Sequence, residues 1–274
     1  MSTPEEMQAL FNYGWEMYLF DNYAEAFDAF KQAFELGHAG AAYWLGQMYL
    51  NGWGVERDRR KAIEYFNRAA YAYYFGDREV EANADEALCY FRMAAEAEDA
   101  DAMNEAGQLY LGEELPFRDA SIIFPDRERG LYWLNKAVDR KHVGAMMNLA
   151  ELYYEGKEVT RDLEAARKLY LEVAESYASD NPGSGMLAMG TLAKIYTEEA
   201  DVEEASKWFL KASASKCFHL FFDPKEFADF FRSTKAVEYL QTAFERGEMC
   251  AAGELGQMYL NGWGVERDPQ KAIE

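Results

Sequence analysis

The stretch Leu45-Gly-Gln-Met-Tyr-Leu-Asn-Gly-Trp-Gly-Val-Glu-Arg-Asp58 recurs letter for letter as Leu255–Asp268. After two unmatched residues, both copies continue with Lys-Ala-Ile-Glu, at Lys61–Glu64 and at Lys271–Glu274. Chance does not produce an identity of this length, so the chain contains an internal duplication. Such self-similarity predicts a repeat architecture, in which stacked copies of one unit bury a continuous core.

Weaker copies of the duplicated stretch lie between the two identical ones. Each places a glycine or an alanine three residues before a tyrosine, and we name the predicted helix that carries this pair helix A. The pairs are Gly46/Tyr49, Gly107/Tyr110, Ala150/Tyr153, Ala193/Tyr196 and Gly256/Tyr259. A spacing of three puts both residues on one side of a helix, where the small residue lets a neighbouring helix approach.

A second pattern alternates with the first and marks what we name helix B. A small residue is followed after four residues by a large apolar one, and three residues later by a small or β-branched one. The triplets are Ala26/Phe30/Ala33, Ala62/Phe66/Ala69, Ala87/Phe91/Ala94, Gly130/Leu134/Ala137, Ala166/Tyr170/Val173, Ala205/Phe209/Ala212 and Ala236/Leu240/Ala243. The spacing between the two patterns is nearly constant, so the sequence predicts antiparallel A–B hairpins that stack on one another.

The linker between helix A and helix B carries residues that end one helix and begin the next. Gly52 follows the first duplicated helix A, where glycine readily adopts the left-handed conformation of a C-cap. Asp58, Asp162 and Asp268 precede helices B, and aspartate is a favoured N-cap because its carboxylate accepts hydrogen bonds from unpaired backbone N–H groups.

The segment from Leu45 to Ala70, with its Leu-Gly-x-x-Tyr, Gly-x-Gly-Val and Lys-Ala-x-x-Tyr-Phe-x-x-Ala-Ala elements, resembles the Sel-one-like repeat (SLR). That family is related to the tetratricopeptide repeat, and the Gly-x-Gly-Val insert distinguishes the two. The resemblance covers most of the chain. It implies an all-α fold, a right-handed α/α superhelical solenoid of stacked antiparallel helix pairs, and a role in protein–protein interaction without one specific activity.

The repeats divide the chain as one solenoid over residues 1–274. Residues 7–36 lack the insert and are predicted to form a tetratricopeptide-like hairpin. Sel-one-like repeats are predicted at 41–75, 84–140, 143–178, 186–214 and 234–274, and an irregular Phe-rich insert at 215–232. The chain ends at Glu274, about two turns into its last helix B. Such an end is expected of a truncated gene, and the hypothesis beside it is self-association or partner binding through the open C-terminal repeat.

The repeat pattern breaks in two places. After Ala69 no helix A pattern is found within 77–86, and the first duplicated helix B is predicted to continue to Phe75. The segment 215–232 is either a degenerate helix A in the core or an exposed aromatic groove for a partner. The loop 113–126 is a third irregular stretch.

The charge balance excludes several classes of function. The 274 residues include 49 Asp and Glu against 28 Lys and Arg, a net charge of −21. Phosphate contacts and anionic membranes both require basic surfaces, so direct nucleic-acid binding and membrane binding are disfavoured. No leader and no apolar run of about 18 residues is seen. The odd set Cys89, Cys217 and Cys250 favours a reducing compartment, so we expect a cytoplasmic protein.

No residue pattern predicts catalysis, a cofactor or a metal. His38 and His142 occupy equivalent positions in the turn from helix B to helix A, which favours a structural role. His219 and Cys217 lack the further ligands that a zinc site needs. No nucleophile–base or phosphate-loop motif is present, so we predict that the protein is not an enzyme.

The function predicted from these observations is a scaffold that binds a protein or peptide, in which stacked helices A form the contact face. The candidate contact residues are Tyr43, Gln47, Asn51, Asn104, Gln108 and Met147 from the repeat phase, and Asp99, Asp101 and Glu105 from the acidic region 77–105. That region carries ten acids against Arg78 and Arg92. It either keeps the protein soluble or steers a basic partner. The alternatives are an acidic immunity protein or inhibitor of a basic toxin and, remotely, a hydrolase.

Overall fold

A computed structural model describes residues 4–76, 82–112, 125–157, 159–213, 232, 234–247 and 249–273. All regular secondary structure in these ranges is helical. The chain divides into two compact units, Met1–Ala145 and Met146–Glu274. The predicted class, an all-α stack of antiparallel helix pairs, is confirmed. None of the described helices combines the length and the apolar character needed to cross a lipid bilayer.

The described residues of the first unit form seven helices and the beginning of an eighth. They are α1 (Pro4–Leu19), α2 (Tyr23–Glu35), α3 (Ala39–Asn51), α4 (Arg59–Phe75), α5 (Ala84–Glu96), α6 (Ala100–Leu111) and α7 (Arg127–Asp139), followed by α8 (Val143–Glu155), which continues into the second unit. The second unit contains α9 (Leu163–Glu172), which runs on as a π-helical turn (Val173–Tyr177), α10 (Pro182–Glu198), α11 (Val202–Ser213), α12 (Thr234–Glu245) and α13 (Met249–Asn261).

The same backbone hydrogen bond closes hairpin after hairpin. The N–H of Asp58, immediately before helix B, donates to the carbonyl oxygen of Tyr49 near the end of helix A, at 2.9 Å. Equivalent bonds of 2.8 to 2.9 Å join Asn83 to Tyr73, Asp126 to Tyr110, Asp162 to Tyr153, Asp201 to Tyr196 and Asp268 to Tyr259. The predicted N-caps are confirmed, since the Asp58 carboxylate accepts the Lys61 N–H at 3.1 Å and the Asp162 carboxylate accepts the Ala165 N–H at 2.9 Å.

The two sequence patterns meet in the core of each hairpin. The large apolar residue of helix B lies directly on the small residue of helix A, so a Cβ atom on Gly46 would be 2.3 Å from Cε1 of Phe66. Gly107 packs against Leu134 in the same way, since a Cβ atom on Gly107 would be 2.8 Å from Cγ of Leu134. Phe66 and Leu134 are completely buried. Close packing of this kind explains why the pattern requires glycine or alanine at that position.

Helix α4 serves two hairpins, which the sequence patterns did not reveal. Its first half packs on α3 as a helix B, while the helix as a whole also packs on α5. Near its end, Tyr73 supplies the carbonyl oxygen that accepts the N–H of Asn83, and Ala70 stands three residues before Tyr73. The extension to Phe75 was predicted. The missing helix A is therefore the second half of α4, and its pattern overlaps the small residues that end the helix B pattern.

Several sequence predictions lie outside the described residues. They are the Phe-rich insert over 215–231, with Cys217 and His219, the acidic residues at 77–81, and the loop at 113–124.

Candidate partner-binding surface

The first group of predicted contact residues lies on α3. Tyr43 and Gln47 are half-buried and Asn51 is exposed. The Asn51 amide donates to the backbone oxygen of Gln47 at 2.8 Å and to its Oε1 at 3.3 Å. Asn261 repeats this bond to Gln257 at 2.8 Å in the second identical copy. The bond is thus part of the repeat structure.

The second group forms what we name the acidic patch, defined by Asp99, Asp101 and Glu105 at the start of α6. The side-chain amide of Asn67 donates to the Asp99 carboxylate. His142 Nε2 lies 2.8 Å from Asp101 Oδ1, and the Ala145 N–H donates to His142 Nδ1 at 3.0 Å. Because Nδ1 accepts a hydrogen bond, Nε2 carries the proton and donates it to Asp101.

The carboxylates of the acidic patch lie close enough to Tyr71 of α4 to affect its pKa. Burial raises the pKa of the Glu105 carboxyl. Burial also raises the pKa of Tyr71 to about 12, and the charges of Glu105, Asp101 and Asp99 add to that effect in the same direction. Asp99 and Glu105 form no ion pair with a lysine or arginine in the described part of the chain. The patch therefore keeps a net negative charge.

Two aromatic side chains at the end of α4 are exposed beside the acidic patch. Tyr71 is 38% exposed and Phe75 is 66% exposed, and their ring centroids are 6.0 Å apart. Tyr71 also packs edge-on against the buried Phe91 at 5.0 Å, which fixes its ring. Exposed aromatics held on a rigid base are typical of protein contact surfaces.

The remaining predicted contact residues differ in accessibility. Gln108 on α6 is half-buried, and Met147 on α8 is half-buried in the second unit. Asn104 is only 6% exposed, because α6 packs between α5 and α7. This corrects the prediction that Asn104 offers a contact surface, and its position is that of a core residue.

A second acidic stretch, residues 198–204, is occupied by structural ion pairs. In the second unit, Glu198 accepts a bond from Arg161 and Glu199 from Arg167, both at 2.6 Å. Lys207 similarly pairs with Glu204 at 3.0 Å. Such partly exposed pairs contribute little to stability. These pairs do neutralise most of the negative charge of residues 198–204. The acidic patch of the first unit therefore has fewer cationic partners than this second stretch.

His38 and His142 both make structural contacts. His38 stacks on Phe11 with 4.1 Å between ring centroids, and burial lowers its pKa. His142 caps α8 through the Ala145 N–H. Among the described residues, no three His, Cys, Asp or Glu side chains are arranged to hold a metal ion.

Sequence reasoning missed a groove of about 280 Å³ beside Gln47, lined by the C-terminal ends of α3 and α5 and the start of α4. Arg57 and Arg59 stand at its rim. One signal was present in the sequence: arginine precedes the N-cap aspartate at Arg57, Arg161 and Arg267. The groove itself depends on how α5 lies against α3 and α4, which no local pattern encodes.

The model of the Sel1 repeat family matches residues 39–72, 67–99, 100–142, 143–176, 186–217, 233–248 and 251–274. The chain belongs to the Sel1 repeat family. The first two matches overlap at 67–72, within α4, which agrees with the double use of this helix. Sel1 repeats are typically non-catalytic scaffolds and generally mediate protein–protein interaction.

Three solved structures are similar to this chain over 72% or more of its residues. A Sel1 repeat protein from Oxalobacter formigenes is 22% identical, with 91% of this chain and 74% of that chain covered and a TM-score of 0.43. A protective antigen of uropathogenic Escherichia coli with an SLR fold is 22% identical, with coverages of 97% and 67% and a TM-score of 0.35. An immunity protein from Pseudomonas aeruginosa is 19% identical, with 72% of each chain covered and a TM-score of 0.31.

Proposed function

We propose that this Sel1 repeat protein is a non-catalytic scaffold that binds a protein partner on the surface formed by α3, the end of α4 and the start of α6. The observation that carries the proposal is the exposed pair Tyr71 and Phe75 beside the acidic patch. Aromatic side chains supply apolar contact area at low entropic cost. Carboxylates without cationic partners favour a basic partner segment and speed its encounter. The cytoplasm is the compartment we propose, in keeping with the free thiols of Cys89 and Cys250.

The test is affinity capture from the native host with two matched variants of the whole chain. The surface variant combines Phe75→Ala, Asp101→Asn and Glu105→Gln. The control variant makes the same three types of change at exposed positions outside this surface, Phe244→Ala, Asp28→Asn and Glu64→Gln. We expect a protein retained by the wild type and the control to be lost from the surface variant at equal thermal stability. Equal retention by both variants would contradict the proposal.

A second candidate function is an acidic inhibitor of a basic toxin. The specific observation in its favour is the acidic patch, in which Asp99 and Glu105 lack cationic partners among the described residues. This hypothesis narrows the partner to a basic enzyme whose activity falls on binding. It is tested by adding the chain to the captured partner and assaying the partner's hydrolysis of RNA and DNA. A captured partner whose activity is unaffected would leave the scaffold as the better description.

A further inference from the structure

The repeats allow one arginine position to be compared in three surroundings. Arg161 donates from Nε to the Tyr154 carbonyl at 2.8 Å and from Nη2 to Glu198 Oε2 at 2.6 Å. Arg267 donates from Nε to the carbonyl of Leu260 at 2.9 Å. In both places the arginine satisfies a carbonyl at the C-terminal end of helix A. Arg161 also binds a carboxylate, that of Glu198, from the next helix A.

Arg57 occupies the same position after α3, and its guanidinium has neither contact. No hydrogen bond or ion pair joins it to a residue of the described part of the chain, and Leu50 stands where Tyr154 and Leu260 stand in the other repeats. The topology explains the difference. The next helix A here is the second half of α4, so no separate helix brings a carboxylate over Arg57 as α10 brings Glu198 over Arg161.

The groove beside Arg57 combines an apolar floor with a guanidinium that has no ion-pair partner among the described residues. Arg59 is already paired with Glu98 at 2.5 Å and donates to the Ala97 carbonyl at 2.7 Å. Glu96, at the same rim, faces Arg92 at 3.6 Å. The floor is formed by Leu50, Phe66 and Met93. A guanidinium beside apolar walls binds a carboxylate more strongly than one in open water, because the local dielectric constant is lower.

We propose that this groove binds the side chain of an aspartate or glutamate from the protein partner, with Arg57 as the bidentate donor. The occupant is an acidic side chain by comparison with Glu198, the carboxylate that pairs with the equivalent arginine, Arg161. The methylenes of that side chain lie over Leu50 and Met93. Gln47 also lines the groove, and its side-chain amide donates a hydrogen bond to the carboxylate. The inference rests on the proposed scaffold function and adds an anchoring position to it.

The test follows the arginine Nε–H resonances of the ¹⁵N-labelled whole chain during titration with N-acetyl-L-glutamate N-methylamide, up to about 50 mM. Arg57 and its exposed neighbour Arg60 are assigned with the Arg57→Lys and Arg60→Lys variants. We expect Arg57 to shift saturably with a dissociation constant of about 1–10 mM. Arg60 should shift little and linearly. The Arg161 resonance should not shift, because the Arg161 guanidinium already pairs with Glu198.

The isosteric probe N-acetyl-L-glutamine N-methylamide is the chemical control, and it should leave Arg57 unchanged. Equal responses of Arg57 and Arg60, or of Arg57 to both probes, would overturn the groove as a carboxylate site. That result leaves the scaffold proposal intact, because the latter depends on the surface variant in affinity capture. Conversely, a saturable shift at Arg57 with unchanged capture by the surface variant would overturn the scaffold surface and keep the groove.

Discussion

Trp44 and Glu254 occupy the same position in the two duplicated segments, immediately before the identical runs that begin at Leu45 and Leu255. Trp44 belongs to an aromatic cluster, with ring centroids 4.7 Å from Trp15 and 4.8 Å from Tyr18. Glu254 is only 7% exposed, and burial raises its pKa to about 7. One substitution thus replaces an apolar contact with a buried titratable group, so the two copies share a backbone and differ in chemistry.

This buried carboxyl predicts a pH dependence of stability. The pKa of Glu254 is higher in the folded protein than the unfolded value near 4.5. Its carboxyl therefore lowers the free energy of unfolding least below pH 4.5, and this destabilisation grows as the pH rises toward 7. We expect Glu254→Gln to match the wild type at pH 4.5 and to be more stable by roughly 2–3 kcal/mol at pH 8. Urea unfolding at both pH values measures this, with the exposed Glu266→Gln as control. A constant difference across pH would contradict the expectation.

At the scale of the helices, hairpin register depends on the contact between a small residue of helix A and a large one of helix B. Both partners recur at constant spacing, so the sequence predicts which helix faces which. The spacing did not predict the helix A in the second half of α4, where Ala69 ends the helix B pattern and Ala70 begins the helix A pattern. A helix shared by two hairpins is hard to recognise from either pattern alone, because the Ala70/Tyr73 pair of one pattern begins directly after Ala69, the last residue of the other.

The duplicated glycines give a matched test of this packing. A Cβ on Gly46 would lie 2.3 Å from the buried Phe66 ring, whereas on Gly256 its nearest neighbour is the Ala272 carbonyl oxygen at 3.2 Å. We expect Gly46→Ala to lower the free energy of unfolding by about 1–3 kcal/mol through overpacking. Gly256→Ala should be near neutral, since alanine favours the helix and the contact is milder. Chemical denaturation of the two variants measures both, and equal losses would show that the Phe66 contact does not determine the residue type.

At the scale of the whole molecule, the sequence predicts the repeat class and only part of the binding surface. Asp99, Asp101 and Glu105 are close in sequence on one helix, so their grouping was predictable. The burial of Asn104 depends on α5 and α7, which pack on either side of α6, and the groove at Arg57 depends on how α5 lies against α3 and α4. The functional surface is therefore least predictable where it depends on contacts between helices.

The acidic patch predicts that partner binding depends on salt. Screening by added salt weakens attraction between exposed charges, since the Debye length falls from about 10 Å at 0.1 M to about 3 Å at 1 M. We expect the association rate of the wild type with its partner to fall at least about tenfold over that range, and the dissociation rate to change little. Surface plasmon resonance separates the two rates. An association rate independent of salt would indicate that the patch does not steer the partner.

The central claim, that a protein partner binds over Phe75 and the acidic patch, is tested most directly by one comparison of affinities. The dissociation constant of the captured partner is measured by isothermal titration calorimetry for the wild type, the surface variant and the control variant. The account predicts a loss of at least about tenfold for the surface variant, roughly 1.4 kcal/mol, and a change below about twofold for the control. A surface variant that binds as tightly as the control would contradict it.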